Sequence, residues 1–190
     1  MFQIRVHGRG GQGVVTAAEL LAVAAFLEGK YAQAFPSFGS ERMGAPVVAF
    51  CRIASSEIRL REPILEPDAV IVQDATLFTS FDVFEGLSPQ GYGLINSKKS
   101  FEELSFCPEL KKHVPHYLLH LDATGLAREY IGRPIPNAVL LGAFAAQTNL
   151  LSLKSVQAAI SEKFPGVIGE KNNAAAVAAF NKVQQEGGIC

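Results

Sequence analysis

The hydrophobic pattern of the chain alternates between strand-like and helix-like stretches. Apolar residues alternate at Phe2, Ile4 and Val6, which predicts a half-buried strand, and they recur at helical spacing from Val14 to Leu27. Further strands are predicted at residues 31–35, 47–53, 57–60, 69–73, 92–95 and 117–121, and further helices at 124–130, 137–148, 153–164 and 174–185. Strands that alternate with helices indicate an α/β fold.

Local signals mark the ends of several helices. Gly29 follows the first helix and is predicted to end it, because glycine adopts the left-handed conformation of a helix end at low cost. Ser152 is predicted to cap the helix that follows it, and Asn172 and Asn173 are predicted to cap the last helix.

The order of the elements predicts the architecture. The short segment 54–56 predicts an antiparallel hairpin between the strands at 47–53 and 57–60, which would make the sheet mixed. We therefore expect a single domain, residues 1–190, folded as a Rossmann-like three-layer α/β/α sandwich around a mixed, mostly parallel sheet.

Composition narrows the classes of protein to consider. The 190 residues are 48% hydrophobic, enough for one well-packed domain, and the net charge of −1 gives no basic surface for nucleic acid. No run approaches the ~18 apolar residues of a membrane helix, and the N-terminus does not read as a signal peptide. Cys51, Cys107 and Cys190 form no C-x-x-C pair, which argues against iron–sulfur or structural zinc spacings and suits a reducing compartment. We therefore expect a cytoplasmic domain with no metal cluster, nucleic acid or membrane.

The candidate binding element is the glycine-rich stretch between the first strand and the first helix. Gly8, Gly10 and Gly13 fit the G-x-G-x-x-G spacing, and Gly11 adds a further glycine. At such a turn the free N–H groups and the dipole of the helix favour an anion, and glycine lets the anion approach the backbone. The stretch Gly8-Arg9-Gly10-Gly11-Gln12-Gly13 therefore predicts a site for a nucleotide or another phosphorylated cofactor.

The residues around this loop do not identify the nucleotide. A dinucleotide site of the Rossmann type places an acidic residue after the second strand, but Tyr31-Ala32-Gln33-Ala34-Phe35 contains none, and Glu28 belongs to the end of the helix. The loop also lacks the Lys-Ser/Thr ending of a P-loop, since Gly13 leads into Val14-Val15-Thr16. The sequence therefore supports neither NAD(P) nor ATP as the ligand. The glycines can also serve only to form a tight strand-to-helix turn, without binding any ligand.

A longer pattern runs through the whole chain. Segments 8–18, 36–47, 66–74, 136–143 and 172–176 read GRGGQGVVTAA, PSFGSERMGAPV, EPDAVIVQD, PNAVLLGA and NNAAA. Together and in this order they resemble the gamma subunit of the 2-oxoacid:ferredoxin oxidoreductases, and they are far more specific than the glycine loop alone. The Ser-Glu-Arg-x-Gly-Ala-Pro form is most similar to the pyruvate and branched-chain enzymes. Many relatives carry a second basic residue where this chain has Met43.

The resemblance implies a subunit of a thiamine-dependent complex that oxidatively decarboxylates pyruvate to acetyl-CoA and passes electrons to ferredoxin or flavodoxin. In this family thiamine diphosphate lies between the alpha and beta subunits, and the iron–sulfur clusters belong to the beta and delta subunits. Magnesium is likewise expected on partner subunits only. The gamma subunit is implied to help hold coenzyme A, a co-substrate, and to complete the assembly with the alpha, beta and delta subunits. The glycine loop and Arg9 suit the phosphates of coenzyme A electrostatically.

Alternatives stay open beside this interpretation. The oxoacid of the complex can be a branched-chain acid or 2-oxoglutarate instead of pyruvate. The chain can also be a free-standing NAD(P)-dependent oxidoreductase, although the missing acidic residue argues against this, or a purely structural subunit whose glycine loop binds nothing.

Two further features are candidates for the site or its surroundings. Arg42, in the Gly- and Pro-rich loop 36–46, is expected to contact an anion or a neighbouring subunit, and the apolar stretch Phe35-Pro36-Ser37-Phe38 beside it is expected to contact a subunit. Asp74 follows a buried strand, where it can face a ligand or cap the next helix.

The histidines do not predict a metal site. His113, His116 and His120 lie close together in the chain, but Pro115 interrupts the local geometry. No carboxylate or cysteine completes a ligand set, and zinc needs at least three well-placed ligands.

Overall fold

The chain folds into a mixed β-sheet with helices packed against it. The computed structural model describes residues 1–37, 43–100, 103–104 and 115–185. Its strands are β1 (Phe2–Arg9), β2 (Tyr31–Pro36), β3 (Pro46–Ala54), β4 (Ala69–Val72), β5 (Tyr92–Asn96) and β6 (Tyr117–Leu121). Its α-helices are α1 (Val14–Leu27), α2 (Ala123–Tyr130), α3 (Asn137–Thr148), α4 (Leu153–Lys163) and α5 (Val167–Gln185), and a 3-10 helix covers Ala75–Thr79.

The sheet has six strands in the order β2-β3-β1-β4-β5-β6. β4, β5 and β6 extend from β1 in parallel, whereas β3 is antiparallel to both β1 and β2. The expectation of a mixed, mostly parallel sheet is confirmed, but the hairpin is wrong: residues 57–60 form no strand. Both edges of β3 are occupied by β1 and β2, so no edge is left for a further strand to pair with.

The two faces of the sheet are covered differently. β4 is apolar throughout because its residues point alternately to the two sides of the sheet and both sides are covered there. One side shares a core with all five α-helices, to which the strands contribute Ile4, Val6, Ala69, Ile71 and Leu94. In the described residues the other side packs against the 3-10 helix and the turn after it, in a smaller cluster of Val70, Val72, Leu77, Phe78, Val83, Phe84 and Ile95.

The helix ends follow their local signals, with one exception. Ser152 caps α4, since its hydroxyl accepts the Ser155 N–H at 3.1 Å, and Gly29 follows α1 with a left-handed φ of 74°. The predicted start of the last helix is wrong, because α5 begins at Val167 and Asn172 lies inside it. The side chain of Asn172 bonds the carbonyl of Ile168 at 2.8 Å, which satisfies an amide that would otherwise disfavour a helix interior.

Helix α3 is the most enclosed of the described helices. Every residue from Asn137 to Gln147 is buried, because α1, α4, α5 and the sheet all lie against α3. Within the described ranges, no helix combines the length and hydropathy that crossing a membrane requires.

The parallel strands determine where a ligand site can form. The carboxyl ends of β1, β4, β5 and β6 meet at one edge of the sheet, and the glycine-rich loop follows β1 at this edge.

Candidate functional site

The glycine-rich loop joins β1 to α1. β1 continues through Arg9, so Gly8 belongs to the strand and the turn itself occupies residues 10–13. Gly11 has a φ of 91° and Gly13 a φ of 74°, left-handed values that favour glycine. Gly13 is the N-cap of α1, and no side chain caps this helix. The N–H groups of the first turn of α1 are therefore available to an anion.

Two of the glycines are also required by packing. A Cβ atom on Gly8 would lie 2.6 Å from Val14 Cγ2 and 3.2 Å from Gln73 Oε1. A Cβ atom on Gly13 would collide with the side-chain amide of Asn137 at the start of α3. These glycines let β1, α1 and α3 approach closely, so the fold explains them without a ligand. Gly10 and Gly11 lie nearer the surface.

An open cleft of about 320 Å³ lies beside the turn. The backbone of the loop and the first turn of α1 form one wall, and β3 contributes to the other. The lining residues are Arg9, Gly10, Gly11, Gly13, Val14, Val15, Thr16 and Val47. The described lining contains no carboxylate, so the cleft combines free backbone donors, one arginine and apolar contacts. This arrangement is suited to an anionic group attached to a partly apolar ligand.

Arg9 stands at the rim of the cleft and is held in place. Its guanidinium donates to Thr76 Oγ1 at 2.8 Å and to the carbonyl of Gly44 at 3.1 Å. It also lies 3.3 Å from the carboxylate of Asp74. The arginine is thus positioned by groups from two other loops, and its charge is partly balanced before any ligand binds.

Gln12 and Asp74 complete this rim. The Gln12 side chain accepts the Arg9 backbone N–H at 2.7 Å and donates to Asp74 at 2.8 Å. Asp74 also caps the 3-10 helix, because its carboxylate accepts the Thr76 N–H at 3.0 Å. The predicted cap is therefore confirmed, and the contacts with Arg9 and Gln12 place Asp74 at the back of the rim of the cleft rather than among its lining residues.

The ionised form of Asp74 is stabilised by its neighbours. Partial burial alone would raise the pKa of Asp74. The hydrogen bonds from Thr76 and Gln12, together with the nearby guanidinium, outweigh this effect and hold the pKa below its ordinary value. The rim therefore carries one positive and one negative charge at neutral pH.

The loop after β2 reaches the glycine turn. The Gly10 N–H donates to the carbonyl of Ala45 at 2.9 Å, and the Gly44 N–H donates to the carbonyl of Gly10 at 3.1 Å. Met43 forms a β-bridge with Gly10 and is 88% exposed. The loops that the sequence singled out separately thus meet at the cleft. Phe38 and Arg42 lie outside the described residues.

A buried amide pair beneath the loop escaped the sequence reasoning. Gln73 and Asn137, only 2% and 4% exposed, are joined by a hydrogen bond of 3.0 Å from Gln73 Nε2 to Asn137 Oδ1. Asn96 supports them by donating to the carbonyl of Gln73 at 2.8 Å. These residues fix the start of α3 below Gly13. They are far apart in the chain, and the only signal was the Pro136-Asn137 stretch within the longer resemblance.

His7, on β1 before the loop, is a structural residue. It is buried, and its Nε2 accepts a hydrogen bond of 3.0 Å from the Arg5 guanidinium. Burial and the charge of Arg5 lower the pKa of His7 to about 3. The ring therefore stays neutral at physiological pH and exchanges no proton there.

Of the histidine candidates that the structure describes, neither His116 nor His120 lines the cleft. His113 is outside the described residues, and His120 borders a separate crevice of about 220 Å³ at the end of β6. In the part of the chain that the structure describes, no cluster of three or more histidine, cysteine or acidic side chains could hold a metal ion.

Comparison with known proteins extends over nearly the whole chain. The family model described as pyruvate ferredoxin/flavodoxin oxidoreductase matches residues 3–182. The gamma subunit common to the pyruvate and ketoisovalerate oxidoreductases of Thermococcus kodakarensis is 54% identical over 182 residues, which are 96% of this chain and 97% of that protein. Both similarities include the glycine loop and the start of α3.

Solved structures share the architecture. The crystal structure of the pyruvate oxidoreductase subunit PORC from Thermotoga maritima matches with a TM-score of 0.79 and 36% identity, over 95% of each chain. The 2-oxoglutarate:ferredoxin oxidoreductase from Magnetococcus marinus, solved with 2-oxoglutarate, coenzyme A and succinyl-CoA, has the same fold within a longer chain. Its TM-score is 0.68 at 21% identity, over 97% of this chain and 30% of that chain.

Proposed function

Because this chain belongs to the pyruvate ferredoxin/flavodoxin oxidoreductase family, as a gamma subunit, we propose that its glycine-loop cleft holds the diphosphate of coenzyme A. The complex that the chain completes oxidatively decarboxylates pyruvate and delivers the acetyl group to coenzyme A. The role of this chain is to bind and orient the coenzyme while the chemistry takes place on partner subunits.

The observation that carries the proposal is the uncapped start of α1 in an open cleft. Gly13 ends the loop without a side-chain cap, and the first turn of α1 lines the same open cleft as Gly10 and Gly11. A diphosphate would take the place of the missing cap, and the positive end of the helix dipole would favour its charge.

Coenzyme A suits this cleft better than NAD(P) or ATP. Its diphosphate needs backbone donors but no acidic residue for a ribose, and β2 ends at Phe35 and Pro36 without one. Val15 and Val47 give the cleft an apolar side that can contact the pantetheine arm. The oxidoreductase from Magnetococcus marinus, which shares the fold, binds coenzyme A.

Each rim residue has a defined part in this proposal. Arg9 offers its charge to the phosphates from a fixed position, because Thr76 and Gly44 hold its guanidinium. Gln12 keeps the turn in shape through its hydrogen bonds to Arg9 and Asp74. Arg42, from the same loop as Gly44, is proposed to add a second cationic contact.

The test compares two glycine replacements in the reconstituted complex. Gly11→Leu places a bulky side chain at the cleft, whereas Gly29→Leu introduces the same left-handed strain at the far end of α1, where a Cβ atom meets nothing within 4 Å. We expect the KM for coenzyme A to rise in Gly11→Leu only, with the complex intact in both variants. Equal KM values in the two variants would favour a loop that serves only the turn.

The proposal extends to partners and location. We propose that the chain works with alpha, beta and delta subunits, that thiamine diphosphate, magnesium and the iron–sulfur clusters reside on those subunits, and that ferredoxin or flavodoxin accepts the electrons. The compartment proposed for the assembly is the cytoplasm. Co-purification with three partners that together oxidise pyruvate would support this composition, and an active complex that lacks them would contradict it.

A further inference from the structure

Strand β2 is an edge strand with one unpaired side. It stands first in the strand order and pairs only with β3 among the described strands. An exposed edge presents free N–H and C=O groups that can pair with another chain, and proteins usually protect such edges with charges or bulges. From Tyr31 to Pro36 the strand carries no charged residue, and its pairing with β3 runs without a bulge.

The hydrogen-bonding direction of each β2 residue follows from one bond. The Ser37 N–H donates to the carbonyl of Val48 at 2.8 Å, so Ser37 points its backbone groups toward β3. Directions alternate along a strand, so Phe35, Gln33 and Tyr31 also bond β3. Ala32 and Ala34 then point their N–H and C=O groups outward, as does Pro36, whose missing N–H costs nothing there.

The sequence of β2 is nearly symmetric about Gln33. Tyr31-Ala32-Gln33-Ala34-Phe35 reads as aromatic, alanine, glutamine, alanine, aromatic from either end. Antiparallel pairing of two copies about an axis through Gln33 would bond Ala32 of each copy to Ala34 of the other, using both outward residues. It would also place Tyr31 opposite Phe35 and Gln33 opposite itself, and aromatic cross-strand pairs are favourable.

The charges near β2 permit this pairing. Lys30, just before the strand, is neutralised by Glu28 of the same copy at 2.8 Å, so no like charges face each other across the axis. Gln33 Oε1 has no donor in the described chain, and a turn of its half-buried side chain toward the other Gln33 would supply one. Tyr31 at the start of β2 is 51% exposed and Phe26 in the last turn of α1 is 73% exposed, so both can add apolar area.

We propose that the β2 edge is a self-association surface that pairs with β2 of a second copy of this chain. The two sheets join into one continuous sheet across a two-fold axis at Gln33. A six-residue edge buries less than the ~1,200 Å² of a standard interface, so the dimer is weak and forms only at high concentrations of the chain. This inference does not rest on the coenzyme A site.

Disulfide trapping tests the register in the full-length chain. Gln33 faces itself in a non-hydrogen-bonded pair, where Cα atoms lie ~4.5 Å apart and a disulfide can form. In a Cys107→Ser, Cys190→Ser background, we expect Gln33→Cys to give a covalent dimer on mild oxidation. Tyr31→Cys alone should give none, but a mixture of Tyr31→Cys and Phe35→Cys should give a mixed dimer.

A second variant separates pairing from folding. Gln33→Glu places two carboxylates on the axis, while in each copy the new carboxylate lies across from Arg52 on β3 and is stabilised there. We expect the folded monomer to persist and the dissociation constant, measured by light scattering, to rise about threefold, because Arg52 offsets part of the repulsion between the two carboxylates. The proposal is overturned if Gln33→Cys stays monomeric on oxidation, if Tyr31→Cys cross-links to itself equally well, or if Gln33→Glu leaves the dissociation constant unchanged.

Discussion

Thr16→Asp is expected to weaken the use of coenzyme A without weakening the fold. Thr16 lies in the first turn of α1 and lines the cleft beside the glycine loop. This turn contains no acidic residue, so a new aspartate would interact favourably with the helix dipole, by ~0.3–1 kcal/mol. The same carboxylate would repel a diphosphate in the cleft. Stability and ligand binding should therefore change in opposite directions.

The size of the effect follows from the dimensions of the cleft. A cleft of about 320 Å³ is only ~7 Å across if it is roughly as wide as it is deep. A carboxylate at its wall would therefore lie within ~6 Å of a phosphate bound in it. Two unit charges at this distance repel each other by ~3 kcal/mol at an effective dielectric constant of ~20. The cleft is open, so salt and water reduce this to ~1.5 kcal/mol, which corresponds to about a tenfold change in affinity.

The assay uses the reconstituted complex and a matched control. Thr16→Asn has nearly the same shape as Thr16→Asp without the charge, so the ratio of their KM values for coenzyme A isolates the electrostatic part. We expect about a tenfold ratio that shrinks at high salt, with kcat at saturating coenzyme A unchanged. If the two variants have the same KM at low salt, no phosphate binds near Thr16 and the proposed site is wrong.

Three further predictions concern the chain as a whole. The isolated chain should oxidise no 2-oxoacid with any electron acceptor and should purify without iron or thiamine; turnover by the single chain would contradict its role as a gamma subunit. Glu28 binds the N-terminus of α4 and Lys30, and although burial opposes ionisation, these hydrogen bonds lower its pKa from 4.5 to about 2. The stabilisation that ionised Glu28 provides is therefore complete above pH 4.5 and is lost as the pH falls toward 2. Glu28→Gln should lower the free energy of unfolding by ~2 kcal/mol at neutral pH and by much less in acid. An equal loss of stability at neutral and at acid pH would refute this. Finally, amide hydrogen exchange in residues 36–46 should slow when the complex assembles, and equal protection in the free chain would exclude this loop as an interface.

The sequence predicted the elements with strong local signals. The predicted bounds of α1 and α3 match the structure, because a glycine turn precedes α1 and Pro136 precedes α3. The errors arose where tertiary pairing decides the outcome. Residues 57–60 look like a strand but find no free edge. Asn172 resembles a cap, yet its side chain bonds within α5 and the helix begins earlier.

The candidate site could be located from the sequence, but its internal contacts could not. The spacing of the glycines and their place between a strand and a helix were sufficient to indicate the loop. The ion pair of Arg9 with Asp74 and the amide pair of Gln73 with Asn137 join residues that are more than sixty positions apart. Such contacts follow from the order of the strands, which no local pattern specifies.

The most direct measurement of the central claim is the structure of the assembled complex with coenzyme A bound. The account predicts the diphosphate within hydrogen-bond distance of the backbone N–H groups at the start of α1, with the guanidinium of Arg9 beside it. A structure in which coenzyme A is held entirely by other subunits, with the cleft at Gly10 and Gly11 empty or filled by a partner's side chain, would contradict it.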